Sequence, residues 1–167
     1  TKSSYSATIT ANDGTSSSTQ DITVNINNLN DNNPSFTSET TFSAEENQTT
    51  IGSVSVTDPE NATLSYSLSG TDASSLAISS SGVLSFGSAP NYESKNSYSA
   101  TVATSDGTNS TTQDVTISVT DVNDAPVATA AAYTMDLKPQ AQTSGSLTLA
   151  GTDEDGDTLT YSIVSNG

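Results

Sequence analysis

The sequence predicts an all-β protein built from tandem antiparallel Greek-key β-sandwich domains joined end to end. Two observations lead to this prediction. Apolar residues alternate with polar residues in short runs, which is the period of a half-buried β-strand. The chain also repeats itself at a domain-sized interval, far longer than the repeat of a solenoid. A row of similar small β-domains accounts for both observations.

The repeat is visible by direct alignment of the chain with itself. Residues 5–32 align with residues 98–125 at an offset of 93, and 14 of these 28 positions are identical. Residues 57–68 align with residues 152–163 at an offset of 95. We therefore divide the chain into the C-terminal part of one repeat (1–33), a complete repeat (34–125) and the N-terminal part of a third (126–167). Because the chain starts in the middle of the pattern, we expect it to be a segment of a longer protein.

Within the complete repeat, the apolar positions predict the strands in order. The alternating sets are Val54 and Val56; Leu64, Tyr66 and Leu68; Leu76 and Ile78; Leu84 and Phe86; Tyr98, Ala100 and Val102; and Val115, Ile117 and Val119. Turn-forming pairs such as Asp58-Pro59 and Asp106-Gly107 separate these runs. Six or seven short strands at this spacing favour a β-sandwich, in which each strand turns an apolar face to the core and a Ser/Thr face to water.

Composition excludes several classes of function. The net charge is -16, with three lysines and no arginine or histidine, so contacts to nucleic-acid phosphates or to an anionic membrane surface are not expected. The absence of cysteine excludes disulfides, and no apolar run is long enough for direct membrane insertion in this segment. Disorder is the alternative for so polar and acidic a chain. The strict patterning of the apolar residues argues against it.

Acidic and amide side chains gather where strands end. Successive strands run up and down, so the sequence predicts two poles: one carries Asp58, Asp106 and the linker of residues 28–34, and the other carries Glu46, Glu93 and the linker of residues 121–126. Like charges crowded at a joint repel, so a folded joint needs a cation. Calcium takes six to eight oxygen ligands of these types. Zinc would require histidine or cysteine, and magnesium remains possible but prefers to keep its waters.

These residues resemble the motifs of the cadherin repeat. The matching motifs are the acid-Asn pair Glu46-Asn47, the acid-x-acid Asp58-Pro59-Glu60, the acid Glu93 ahead of the sixth strand, the turn residue Asp106, and the linkers of residues 28–34 and 121–126. The resemblance covers residues 1 to about 126. It implies a cadherin/Ig-like sandwich and three calcium ions in each linker, held by residues of both neighbouring domains.

Carried over residue by residue, the resemblance implies two calcium-binding joints. Joint one comprises Asn28, Asn30, Asp31, Asn32, Asp58, Glu60 and Asp106. Joint two comprises Glu46, Glu93, Asp121, Asn123, Asp124, Asp153 and Asp155. Joint one departs from the family at Asn28, where the family has an acid. Joint two has Ala125 where the family has Asn, a form common in bacterial cadherin-like arrays, and it leads into a third repeat that looks like a related bacterial module.

Other interpretations of the acidic motifs fit less well. An EF-hand loop beginning at Asp153 would need Gly at its sixth position and Glu at its twelfth, where this chain has Thr158 and Val164. Glu45 with Glu46, or Asp58 with Glu60, could form a glycosidase pair, but the chain has no Trp to form a sugar platform. The many serines lack a histidine base. We therefore expect no enzymatic activity.

The expected function is a calcium-stiffened structural spacer in a secreted or cell-surface bacterial adhesin or surface filament. Its expected partners are calcium ions, the neighbouring repeats of the same chain, and either identical chains in a filament or a cell-surface glycan. The alternative is a calcium-dependent module that binds carbohydrate or an identical chain. Adhesive cadherins that exchange strands use a Trp anchor, and this chain has none.

Overall fold

The computed structural model describes residues 2–129 and 149–162, and these residues form an all-β protein, as predicted. The only helix within these ranges is a single 3-10 turn, Ala73–Ser75. None of the described segments has the helical length and hydropathy of a membrane span. The predicted third repeat, 126–167, falls partly outside the described residues.

Thirteen strands are described, and nine of them lie in the complete repeat, where six or seven were predicted. The first hairpin consists of β1 (Ser4–Asn12) and β2 (Ser17–Asn25). The middle sandwich, as we name the unit formed by β3 to β11, contains β3 (Ser35–Phe36), β4 (Thr41–Glu45), β5 (Thr50–Ser53), β6 (Val56–Thr57), β7 (Ser65–Ser69), β8 (Leu76–Ile78), β9 (Val83–Phe86), β10 (Ser97–Ser105) and β11 (Ser110–Thr120). The third segment contributes β12 (Val127–Thr129) and β13 (Ala150–Thr152).

Two sheets enclose the core of the middle sandwich. One has the strand order β4-β11-β10-β7, and the other has the order β5-β9-β8, with the short pair β3-β6 beside it. The buried apolar residues are Ala44, Val54, Leu76, Leu84, Phe86, Ala100, Val102, Val115, Ile117 and Val119. All except Val54, which lies between β5 and β6, are inward positions of strands, because successive side chains of a strand point to opposite faces.

One strand pair departs from the antiparallel pattern that we predicted for the sandwich. Strand β4 lies parallel to β11, with residues 41–45 opposite residues 116–120, whereas β3 pairs antiparallel with β6. The first strand is therefore divided between the two sheets. This arrangement brings the end of β4 to the end of β11, where the amide of Glu46 donates a hydrogen bond to the carbonyl of Thr120 (3.1 Å). Glu46 thereby lies beside the outgoing linker.

The first hairpin reproduces the β10–β11 hairpin in register. Tyr5 lies opposite Val24, and Tyr98 lies opposite Ile117, so both partners are displaced by the same 93 residues. The sequence repeat is thus also a structural repeat.

The two hairpins differ in what covers their apolar faces. Val102 and Ile117 are fully buried, whereas their equivalents Ile9 and Val24 are 54% and 53% exposed. In the middle sandwich, the sheet β5-β9-β8 covers this face. Among the described residues, no second sheet covers the same face of the first hairpin.

Candidate metal centres

In joint one, the linker lies against the pole of the middle sandwich that carries Asp58 and Asp106. The Nδ2 group of Asn32 donates to Glu60 Oε1 at 2.6 Å. Asn30 Nδ2 donates to Thr108 Oγ1, in the β10–β11 turn, at 3.2 Å. These contacts join linker residues to positions 28 and 78 residues further along the chain. The fold therefore brings the linker to the pole at which the sequence placed it.

The loop after β6 presents two acids to this linker. Asp58 Oδ1 accepts hydrogen bonds from the amides of Glu60 (3.0 Å) and Ala62 (2.9 Å), which fixes the carboxylate on its own loop. Asn61 has a positive φ of 57°, so the loop turns sharply at this residue. The other carboxylate oxygen, Asp58 Oδ2, accepts neither of these hydrogen bonds.

The turn between β10 and β11 supplies the third acid of joint one. Asp106 Oδ1 accepts from the amides of Asn109 (2.6 Å) and Thr108 (2.7 Å). The hydrogen bond from the Asn109 amide is the main reason that the pKa of Asp106 lies below its ordinary value of 3.8, and it outweighs the loss of hydration. Asp106 is therefore held as a carboxylate.

Several oxygens of the joints are buried without a hydrogen-bond donor. Asn30 Oδ1, Asp58 Oδ2 and Glu60 Oε2 in joint one, and Asp155 Oδ1 in joint two, have no partner within residues 2–129 and 149–162. Two further buried oxygens, on Ser38 and Thr104, share this property away from the predicted ligands. Buried polar atoms are normally paired, and a hard cation satisfies carboxylate and amide oxygens. The residues present therefore fit calcium.

Joint two is organised around Glu46, whose side chain is only 2% exposed. Its two carboxylate oxygens accept separate backbone amides: Oε2 from Tyr92 at 2.7 Å and Oε1 from Val122 at 2.9 Å. One of these donors precedes β10, and the other lies in the outgoing linker. A single buried carboxylate therefore ties the linker to the middle sandwich.

Three acids converge at this position. Oxygens of Glu46, Glu93 and Asp121 lie within 4.8 Å of one another. The pKa of Asp121 is raised above its ordinary value of 3.8, first by loss of hydration and then by the nearby carboxylate of Asp155. The pKa of Glu93 is also raised: a hydrogen bond with its own backbone lowers it, but loss of hydration and the neighbouring charges outweigh that effect. The cluster thus opposes its own ionisation.

The third segment contacts the same cluster. The amide of Asp124 donates to Asp155 Oδ2 at 2.6 Å, and Asn91 Nδ2 donates to Glu154 Oε2 at 2.7 Å. Oxygens of Glu93, Asp124 and Glu154 also lie within 4.8 Å of one another. Joint two therefore gathers acids from the middle sandwich, the linker and the third segment.

Four of the predicted ligands are not brought into these contacts. Asn28 lines a cleft with Pro59 and Glu60 but makes no side-chain hydrogen bond among the described residues. Within residues 2–129 and 149–162, Asp31 accepts only from its neighbour Asn32. In joint two, Asn123 donates to the carbonyl of Asp124 (2.7 Å), and Asp153 accepts from the amide of Asp157 (3.1 Å), so both serve local turns.

The structure also identifies residues that the sequence analysis left out of the site. Asn47 Nδ2 donates to Asp124 Oδ1 (3.0 Å), and Asn109 Nδ2 donates to the carbonyl of Asn32 (3.0 Å). Glu154 stands between the two acids of its loop, where joint one has Pro59. A comparison of these two loops would have revealed Glu154. Asn109 has no such signal, because only the fold brings it to the linker.

Comparison with known proteins identifies the middle sandwich. Residues 40–120 match the family model of the cadherin domain. These residues form a cadherin-like domain. Among curated proteins, none matches the chain at a significant level.

Solved structures extend the likeness beyond one cadherin-like domain. The protocadherin gammaB7 EC3–6 cis-dimer structure aligns with 90% of this chain at 27% identity and a TM-score of 0.62, and 43% of its own length is covered. Protocadherin Gamma B2 extracellular cadherin domains 1–5 align with 72% of this chain at 30% identity and a TM-score of 0.60, with 27% of that structure covered. Human protocadherin-24 EC1–2, at 23% identity and a TM-score of 0.53, covers 72% of this chain and shows the fold alone. This chain spans 59% or less of each of the three structures.

These likenesses show that the chain contains a cadherin-like domain. Cadherin domains are extracellular modules that serve adhesion or act as spacers, and they bind calcium in general. The predicted resemblance to the cadherin repeat is confirmed, as is the β-sandwich fold.

Proposed function

We propose that this chain is a calcium-stiffened spacer segment of a secreted or cell-surface bacterial adhesin or surface filament. The observation that carries the proposal is the set of buried, donor-free oxygens at the joints: Asn30 Oδ1, Asp58 Oδ2, Glu60 Oε2 and Asp155 Oδ1. Leaving such atoms unsatisfied costs about 1–3 kcal/mol each. At each joint, a cation bound by these oxygens would remove that cost and bridge residues of two neighbouring units.

The residues of joint two describe how stiffening would work. Glu46 fixes the linker to the middle sandwich through Val122, and Asp155 fixes the linker to the third segment through Asp124. The pKa of Asp121 is raised first by loss of hydration and then by the neighbouring carboxylates, which repel its charge. Calcium supplies the opposite charge, so the units would move independently without it and as one body with it.

The bacterial setting is drawn from the form of the second linker. Its sequence is Asp-Val-Asn-Asp-Ala-Pro, with Ala125 where the cadherin repeat has Asn. The following Asp-Glu-Asp-Gly-Asp loop, residues 153–157, resembles related bacterial modules. The protocadherin structures support the fold and the calcium chemistry, and the setting remains our proposal.

Small-angle scattering tests the spacer function directly. The maximum dimension of the fragment is measured in calcium and in chelator, and we expect it to be longer and better defined in calcium. Asp121→Asn combined with Asp155→Asn, which removes two acids of joint two, should weaken the response. Asp114→Asn is the control, because it also removes negative charge but lies on β11, where Asp114 accepts from Thr101 (2.7 Å). The same dimension in calcium and in chelator would refute stiffening.

A second candidate function is recognition of an identical chain. Strands β7 and β8 end their sheets, so each has one backbone edge without a strand partner among the described residues. Exposed edges can pair with a strand of another chain. Sedimentation velocity in calcium distinguishes the two functions, since a spacer remains monomeric and a self-recognising module shows a concentration-dependent dimer.

A further inference from the structure

The linker of joint one is fastened to the middle sandwich by amide hydrogens. Asn32 Nδ2 donates to Glu60 Oε1 (2.6 Å), and Asn30 Nδ2 donates to Thr108 Oγ1 (3.2 Å). A neutral amide adds no charge to the joint, and its N–H groups can bond a carboxylate directly. These contacts therefore need no cation.

Asn109 connects this linker to the turn that holds Asp106. Its Nδ2 group donates to the carbonyl of Asn32 (3.0 Å) and to Asp106 Oδ2 (3.3 Å), while its backbone amide donates to Asp106 Oδ1 (2.6 Å). The equivalent residue in the first hairpin is Ser16, whose backbone amide donates to Asp13 Oδ1 at 2.7 Å in the same way. The turn thus forms with either residue, and the amide side chain is what reaches the linker.

Joint two is also fastened to its following segment by amide hydrogens, but the carboxylates that accept them lie among other acids. The contacts between them, Asn91 to Glu154 and the Asp124 amide to Asp155, both end on carboxylates. A carboxylate oxygen of Glu154 lies within 4.8 Å of oxygens of Glu93 and Asp124, and the neighbouring Asp155 acts on Glu93 through its charge, so both docked carboxylates face like charge. Docking at joint two is therefore opposed by repulsion until a cation is present.

We propose that Asn109 is a positioning residue that keeps the linker of joint one docked on the middle sandwich without calcium, so that calcium switches the order of joint two alone. The inference rests on the proposed calcium function and specifies which joint responds. Joint one is pre-organised, because the ordering of its linker precedes binding. Joint two is the hinge of the segment.

Distances between spin labels test the two joints separately. The chain has no cysteine, so introduced pairs can be labelled cleanly. One pair, Leu29→Cys with Ser53→Cys, spans the linker of joint one and the middle sandwich. The other, Ser118→Cys with Thr158→Cys, spans joint two; all four positions are exposed. Pulsed electron spin resonance gives the width of each distance distribution in chelator and in calcium.

The two pairs give distinguishable outcomes. We expect the joint-one pair to be equally narrow in both conditions and the joint-two pair to be broad in chelator and narrow in calcium. If the joint-two pair does not narrow, the proposed function fails. If the joint-two pair narrows but the joint-one pair is equally broad in chelator, the calcium function stands and this inference is overturned.

Asn109→Ser tests the positioning role itself. It installs the residue of the equivalent hairpin and removes only the amide, so the ratio of docked to undocked linker in chelator should fall about tenfold. The joint-one distribution should then widen, and calcium should narrow it. Asn96→Ser is the matched control, because Asn96 is exposed and its side chain makes no hydrogen bond within the described residues. An unchanged distribution in the folded Asn109→Ser variant would overturn the proposal.

Discussion

Substitution of Glu46 by Gln is a sharp test of how joint two is built. The carboxylate is 2% exposed and accepts amides from Tyr92 (2.7 Å) and Val122 (2.9 Å). Gln keeps one acceptor oxygen and turns the other into a donor that faces an N–H group. One amide therefore loses a charge-assisted bond, at a cost of about 2 kcal/mol. The Tm of the middle sandwich in chelator should fall by about 10 °C.

The same substitution should weaken calcium binding at joint two. It removes one of the three carboxylates that meet within 4.8 Å, and calcium affinity depends on the number of charged ligands, so we expect a loss of about tenfold or more. Isothermal titration calorimetry measures the loss, and differential scanning calorimetry measures the Tm.

The neighbouring residue provides the control for this test. Glu45→Gln removes the same charge from the exposed end of β4, and its Tm and calcium isotherm should stay close to those of the unmodified chain. If Glu46→Gln matched Glu45→Gln in both measurements, the reasoning about the two amide bonds would be refuted.

Three further predictions follow from the core, the acidic cluster and a strained turn. Val102→Ala, at a fully buried position, should lower the free energy of unfolding by about 2–3 kcal/mol, whereas Val24→Ala, at a position 53% exposed, should lower it by less than about 1 kcal/mol. Urea denaturation measures both, and equal losses would contradict this assignment of the core. The pKa values of Glu93 and Asp121 are raised above their ordinary values of 4.5 and 3.8. Calcium-free joint two should therefore lose stability as the pH rises through these values and the two side chains ionise. Calcium should therefore displace protons and bind more weakly below about pH 5, and calorimetry in buffers of different ionisation enthalpy should detect proton release; an affinity independent of pH would exclude this competition. Gly82→Ala should cost about 2 kcal/mol or more, because the glycine has a φ of +80° and a Cβ atom would lie 2.7 Å from a backbone carbonyl oxygen; an unchanged Tm would show that the turn relaxes.

The fold was largely predictable because apolar and polar residues alternate along a strand that is buried on one face of a sandwich. Val102, Val115 and Ile117 were predicted to share the core, and all three are buried. The division of the first strand between two sheets was not predictable. Strands β3 and β4 are short, and alternation does not specify whether a neighbouring strand runs parallel or antiparallel.

The candidate site was predictable in residue type but not in its contacts. The positions of Glu46 and Asp106 at strand ends placed them at opposite poles, and the structure agrees. The role of Asn109 depends on where its side chain ends in space, because 77 residues of chain separate it from Asn32. Sequence spacing carries no record of such contacts.

The parallel pairing of β4 with β11 has a mechanical consequence. Tension that draws the two linkers of the middle sandwich apart pulls these neighbouring strands past each other along their length. The bonds between residues 41–45 and residues 116–120 are then loaded in shear, so they share the force and must yield together rather than one by one. Under load, the joints are therefore the compliant parts of the chain, and the sandwich between them behaves as a rigid link.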